Sequence, residues 1–188
     1  MADYSILADF STYLLERFRE SLCPGLLAAR EMVAFHGPDI QEPEAVLNLY
    51  LYDVRESPES NSFSYVPLLG EARGRPLAVT ACYVAYCSRH TQTPAGTLTE
   101  QRILGKVFQT ILRMPPVEIA RIHEMAEKTD QPVPVSFSML KQTEKRDLWN
   151  AFSQPLRPAV YFQGGPLFIG SGTALETARV RQTEVNAL

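Results

Sequence analysis

The chain has little of what membrane insertion and secretion require. No stretch approaches the run of about 18 apolar residues that a helix needs to cross a bilayer. Its start, MADYSILADF, has no basic segment before an apolar one, so it does not have the form of a secretory signal. We therefore expect a protein that is made in the cytosol and does not insert into membranes.

Charge of either sign is also sparse and evenly spread. The 188 residues include 18 Lys and Arg and 21 Asp and Glu, giving a net charge of −3, and no block of basic residues. Binding nucleic-acid phosphates depends on such a block or stripe, so nucleic acid is not an expected partner. The 45% of hydrophobic residues instead predicts a folded core.

The cysteines and histidines form no recognised metal-binding or catalytic pattern. The three cysteines are an odd number without CxxC spacing, which argues against a disulfide framework or a zinc site. The three histidines lie far apart and form no HxH or HxxxH pair. The nearest approach to an active site is Cys82 or Cys87 with His90, because a thiolate nucleophile needs a nearby base. Both cysteines lie in an apolar segment, where a buried structural role is commoner.

Two further segments share only their composition with functional motifs. The glycines of FQGGPLFIGSGT lack the lysine of a phosphate-binding loop. Asp53, Glu56 and Glu59 could bind a metal, but interleaved serines and a proline are typical of a solvated loop. We therefore predict no catalytic residue, no cofactor-binding residue, no metal ligand and no cofactor.

Apolar residues spaced three and four apart predict helices at residues 6–22, 97–114 and 143–152, and a shorter one near 117–128. In the second helix, Thr97 and Glu100 have the spacing of an N-terminal capping box. Its predicted buried stripe consists of Ile103, Leu104, Val107, Phe108, Ile111 and Leu112.

Alternating and continuous apolar runs predict the strands. LNLYLYDV should turn its leucines toward the helices, and PLAVTACYVAYC, apolar on both faces, should be a central strand. PVPVSFSML fits a strand at a sheet edge because of its prolines. AVYFQGGPLFIG is expected to form a hairpin, or two strands, broken at Gly164 and Gly165. The order predicts a single α+β domain, residues 1–170, with helices covering a mixed or antiparallel sheet, and a polar tail, residues 171–188.

The segment LWNAFSQPLRPAVYF holds the single tryptophan of the chain. Trp149 and Phe152 share a helix face, and Arg157 and Tyr161 follow across a proline-rich turn. Two interpretations remain open for Trp149: packing on the sheet as part of the core, or anchoring an interface. We take these four residues as the candidate interface.

Four segments together resemble a known family. LNLYLYDV, RPLAVTACYVAYC, QRILGKVFQTILRMPP and LWNAFSQPLRPAVYF are similar in order and spacing to a family first described as a domain of unknown function. Its characterised members are cap, or tail-terminator, proteins of phage-tail-like contractile injection systems. The resemblance runs from the first helix to about Gly170. CSRHTQTPAGT is longer than the family's usual turn, and the polar C-terminal extension is less typical.

The resemblance implies a structural role without enzymatic activity. Such caps form rings, commonly hexamers, that end the inner tube and anchor the last sheath layer. The implied partners are further copies of this chain as a homohexamer, the inner tube protein and the sheath protein. The implied location is the cytoplasm, in the assembled particle at the distal end. Residues 57–75 and the tail are two candidates for contacting the sheath.

Two other functions remain as alternatives from different classes. One is a small cysteine-dependent enzyme that uses Cys82 or Cys87 with His90. The other is an adaptor or chaperone for a secreted effector, which would remain a monomer or dimer.

Overall fold

Three helices and two sheets make up the part of the chain that the computed structural model describes, residues 4–40, 43–61, 72–73, 77–88, 94–123, 131–170 and 174–175. The helices are α1 (Ile6–Leu22), α2 (Pro94–Arg113) and α3 (Gln142–Ala151). The strands are β1 (Val33–Phe35), β2 (Leu47–Glu56), β3 (Ala72–Arg73), β4 (Leu77–Cys87), β5 (Val135–Phe137), β6 (Ala159–Ile169) and β7 (Ala174–Leu175). None of the helices in these ranges has the length and hydropathy needed to span a bilayer.

The larger sheet is mixed and has the strand order β1-β2-β4-β6-β5. Strand β1 pairs parallel to β2, and the other neighbours pair antiparallel. Strand β4 lies in the middle, and its residues from Ala81 to Cys87 are all buried, as an apolar strand covered on both faces should be. The predictions of a central β4, an edge position for β5 and an α+β fold are confirmed.

Helices α1 and α2 cover one face of this sheet and build the main core. Every fourth residue of α1 is buried there: Ile6, Phe10, Leu14, Phe18 and Leu22. Leu47 and Leu49 of β2 join the same cluster, so the aliphatic face of this strand meets the helices as predicted. The opposite face carries a smaller cluster around Trp149, with Tyr50 and Tyr52 packed against it.

Helix α2 begins earlier than the sequence predicts. It begins at Pro94, a residue that suits the first turn because its missing N–H would have no partner there. Thr97 and Glu100 therefore lie inside the helix, and the predicted capping box is wrong. Phe108 and Leu112 are 48% and 78% exposed, so the predicted stripe was too wide on that side.

The short helix predicted near 117–128 is wrong in its described part. Residues 119–121 form only one 3-10 turn, and Val117 instead makes a bridge to Val133. Residues 124–130 of this prediction lie outside the described part of the chain.

The predicted break at Gly164 and Gly165 is also wrong, because β6 runs continuously through both. A Cβ on Gly164 would overlap the ring of Phe10. A Cβ on Gly165 would lie 2.9 Å from the Cα of Thr80, where the register between β4 and β6 shifts. The two glycines therefore allow a helix side chain and a neighbouring strand to approach closely, and they do not form a turn.

Replacing Gly164 with alanine should lower the free energy of unfolding by about 1–3 kcal/mol, because the added methyl group overpacks the core against Phe10. Gly105→Ala is the matched control. Its Cβ would meet no atom within 4 Å on α2, so alanine should stabilise the protein by about 0.5–1 kcal/mol. Urea unfolding of both variants measures the two effects, and equal stability of Gly164→Ala and the wild type would contradict the packing account.

Candidate functional site

The thiols considered as nucleophiles are poorly suited to that role. Cys82 and Cys87 are both buried, and their spacing along β4 places them on opposite faces of the sheet. Burial raises the pKa of the Cys82 thiol, and it raises the pKa of Cys87 to about 12. Such thiols stay protonated at neutral pH, whereas the thiolate is the reactive form. His90, the proposed base, lies outside the described residues.

Metal-binding groups do not converge in the part of the chain that the structure describes. No group of three or more His, Cys, Asp or Glu residues is placed there to hold an ion. The carboxylate of Asp53 accepts a hydrogen bond of 2.5 Å from the Nε of Arg55, two residues further along β2. Glu59 accepts a hydrogen bond from Ser57. These carboxylates thus have local partners and form no shared site with one another.

The four residues of the candidate interface do come together, around helix α3. Trp149 is 1% exposed, and its indole Nε1 donates a hydrogen bond of 2.9 Å to the hydroxyl of Tyr161 on β6. The ring of Tyr86 meets the indole edge-on, with centroids 5.3 Å apart. Burial raises the pKa of the Tyr161 hydroxyl. Trp149 therefore fastens α3 to the central strands.

Arg157 and Phe152 complete this cluster from the turn after α3. The guanidinium of Arg157 lies over the rings of Trp149 and Tyr86, at 5.2 and 5.9 Å from their centroids. It also donates hydrogen bonds to the carbonyl of Cys87 at 3.4 Å and to the side chain of Gln154 at 3.1 Å.

The half-buried ring of Phe152 packs edge-on against Tyr50, 5.3 Å away. Of the two interpretations left open for Trp149, its burial favours the core role. Phe152 and Arg157 retain partial exposure at the rim of the cluster.

Replacing Trp149 with alanine should lower the free energy of unfolding by about 3–5 kcal/mol, as truncation of a large core aromatic does. Tyr161→Phe should cost less, about 1–3 kcal/mol, because it removes only the acceptor of the buried indole N–H. Denaturant unfolding and assembly should be measured on the same samples. A Trp149→Ala protein with wild-type stability but impaired assembly would contradict the core role and favour an interface anchor.

A second surface, which the sequence analysis missed, lies along strand β5. The backbone N–H of Ser138 donates to the carbonyl of Tyr161. In an antiparallel pair the backbone groups of alternate residues point toward the neighbouring strand, so those of Ser136 and Ser138 point toward β6. The backbone groups of Val135 and Phe137 therefore point away from the sheet. Among the described residues, none forms a hydrogen bond with them. In the part of the chain that the structure describes, this edge is covered at its start alone, where Val133 pairs with Val117.

The apolar side chains beside this open edge are unusually exposed. The rings of Phe108 on α2 and Phe137 on β5 lie 5.2 Å apart and are 48% and 39% exposed. Leu112, one turn along α2, and Met139, two residues beyond Phe137, are more exposed still. Exposed apolar groups gathered in this way mark interaction surfaces. The helical spacing of Phe108 and Leu112 had assigned both residues to the core, and no signal in the sequence set them apart from the buried stripe.

At the opposite edge of the sheet, Val33 at the start of β1 already has hydrogen-bond partners. Val33 of β1 accepts a hydrogen bond from the Nε of Arg19 at 3.1 Å, and its N–H donates to the carbonyl of Arg30. A strand that approached β1 would find Val33 already paired. The β1 edge is therefore blocked at Val33 for a further strand.

The model of the family described as the Pvc16 N-terminal domain matches residues 10–183. The chain belongs to this family. Membership confirms the resemblance to tail-terminator proteins that the four sequence segments carry. The match to the Pvc16 N-terminal domain continues beyond residue 170, where the sequence analysis placed the domain boundary.

Solved structures include one with the same fold as this Pvc16 N-terminal domain. It is described as the sheath/tube terminator, in the extended state, of the extracellular contractile injection system PVC. The similarity has a TM-score of 0.57 at 12% identity and covers 100% of this chain and 66% of that one. This chain thus spans about two thirds of its neighbour's length. A comparison with curated proteins found no match.

Proposed function

We propose that this protein is a structural cap that ends the inner tube of a contractile injection system and anchors the last layer of its sheath. The observation that carries the proposal is the fold similarity, over the full length of this chain, to a chain described as a sheath/tube terminator. Membership of the Pvc16 N-terminal domain family supports it. A cap acts through its surfaces, which agrees with an open strand edge and with buried, protonated thiols.

The cap works as a ring of identical subunits, a homohexamer, whose partners are the inner tube protein and the sheath protein. It assembles in the cytoplasm onto the distal end of the particle. A closed ring needs two different surfaces on each subunit, since each copy contacts its two neighbours differently. The open β5 edge with Phe108 and Phe137 provides one of them. The β1 edge is less suited to be the second, because Val33 is already paired there.

Native mass spectrometry should give a species of about six times the 21.1 kDa chain mass. Phe137→Lys should shift this species toward monomer, because a charge at the subunit contact costs desolvation. Phe35→Lys is the matched control, since Phe35 has a similar exposure, 36% against 39%, but lies on the β1 edge, where Val33 is already paired.

A wild-type protein that stays monomeric or dimeric would contradict the ring and favour the adaptor alternative. Equal dissociation of the Phe137→Lys and Phe35→Lys rings would contradict the β5 contact while leaving the ring itself intact.

The anchor for the sheath lies in the two segments singled out from the sequence, residues 57–75 and 171–188. Strand β3 belongs to the first segment and β7 to the second, and the two pair antiparallel through Ala72 with Leu175 and Arg73 with Ala174. The five-stranded sheet includes neither strand. Because this pairing joins the two segments outside the five-stranded sheet, a sheath subunit can engage them together.

Deleting residues 171–188 should leave a folded protein whose melting temperature is nearly unchanged, because no residue of the five-stranded sheet is removed. In assembling particles the same deletion should weaken retention of the sheath more than capping of the tube. Thermal melting and electron microscopy of particles measure these effects. Unfolding of the truncated protein would show that the tail belongs to the core, and undiminished sheath retention would place the anchor elsewhere.

A further inference from the structure

Helices α1 and α2 form the two sides of a solvent-accessible groove of about 310 Å³. Residues one helical turn apart on each helix line it, so each helix contributes a single face. The cations among them are Arg17 on α1 and Lys106 and Arg113 on α2, with Glu20 as the acidic side chain. Three positive charges thus face one negative charge, in a chain whose net charge is −3.

The hydroxyl groups of the groove are occupied by each other and by the backbone. Ser21 Oγ and Thr110 Oγ1 lie 2.6 Å apart and connect the two helices. Thr110 donates to the carbonyl of Lys106 at 2.8 Å, so Ser21 supplies the proton between the two hydroxyls. The cationic side chains are therefore the groups that remain to bind a ligand.

Among the described residues, an ionic partner is present for one of these cations. Arg17 Nη1 bonds Glu20 Oε2 at 2.8 Å, while its Nε is buried without a hydrogen-bond partner. Lys106 donates to the neutral amide of Gln109 at 3.0 Å. Arg113 forms no ion pair with any residue in the described ranges. Two positive charges in the groove thus have no ionic partner in the described part of the chain, and one buried N–H donor has no hydrogen-bond partner there.

We propose that this groove binds carboxylate side chains from an acidic segment of a partner protein. Guanidinium groups pair with carboxylates through two parallel hydrogen bonds, and Arg113 is the fork available for such a pair. Lys106, about two turns away on the same face of α2, can receive a second carboxylate as a point charge. The negative charge of Glu20 repels a compact, multiply charged anion such as phosphate. Separate carboxylates can bind Arg113 and Lys106 at positions farther from Glu20. This binding goes beyond the capping role and can be tested on the isolated chain.

The probe is an acetylated and amidated hexaglutamate peptide, titrated into the full-length protein by isothermal calorimetry at low salt. The wild-type protein should bind it, and binding should weaken as salt rises because the groove is open to solvent. Arg113→Glu and Lys106→Glu should each raise the dissociation constant by about tenfold or more. Arg146→Glu, with the same change of charge on the exposed surface of α3, is the control and should change it by less than about twofold.

Three outcomes would overturn the proposal. They are absence of binding by the wild-type protein, equal weakening by Arg146→Glu and the groove variants, and displacement of the peptide by an equal concentration of inorganic phosphate. Circular dichroism confirms folding of each variant. If one groove substitution prevents folding, the other provides the test, since Lys106 and Arg113 lie about two turns apart on α2.

Discussion

Burial of strand β4 on both faces is the constraint on which the rest of the structure depends. One face packs beneath α1 and α2, and the other packs beneath the cluster around Trp149. Since alternate residues of a strand point to opposite faces, nearly every side chain of β4 must be apolar. The same burial keeps Cys82 and Cys87 protonated, and it requires glycines where β6 passes close to Phe10 and Thr80.

This arrangement moves the capacity for interaction to the margins of the sheet. With both faces covered, new contacts can form at the strand edges, on the outer surfaces of the helices and in the paired segments β3 and β7. At the β1 edge Arg19 and Arg30 pair with Val33, whereas Val135 and Phe137 at the β5 edge have no hydrogen-bond partner among the described residues. An asymmetric pair of edges suits a protein whose contact with a neighbour has a direction, as a ring requires.

The sequence predicted those elements whose pattern is local. The continuous apolar run PLAVTACYVAYC identified β4 as a strand buried on both faces, and the spacing of Phe10, Leu14 and Phe18 identified α1. The errors arose where a distant contact decides the outcome. The pair Gly164 and Gly165 is typical of a turn. Glycine is instead required at position 164 because the ring of Phe10, 154 positions earlier in the chain, leaves no room for a Cβ. Phe108 fits a helical stripe, and only the position of α2 on the sheet leaves it exposed.

In the candidate site, too, contacts between residues close in the sequence were predictable, and contacts between distant segments were not. The four residues of the candidate interface lie close in the sequence, so their association was predictable. The hydrogen bond between the buried indole of Trp149 and the hydroxyl of Tyr161 was not. The open edge of β5 could not be predicted, because it depends on which strands become neighbours. The groove between α1 and α2 likewise joins faces of two helices that are far apart in the chain.

The most direct measurement of the capping role is the length distribution of tubes, determined by electron microscopy, when the other particle components assemble with and without this protein. With the protein present, tubes should have one length and carry a sheath to their distal end. Without it, the account predicts a broad range of tube lengths and loss of the distal sheath. Particles of unchanged length and sheath coverage in its absence would contradict a terminating role.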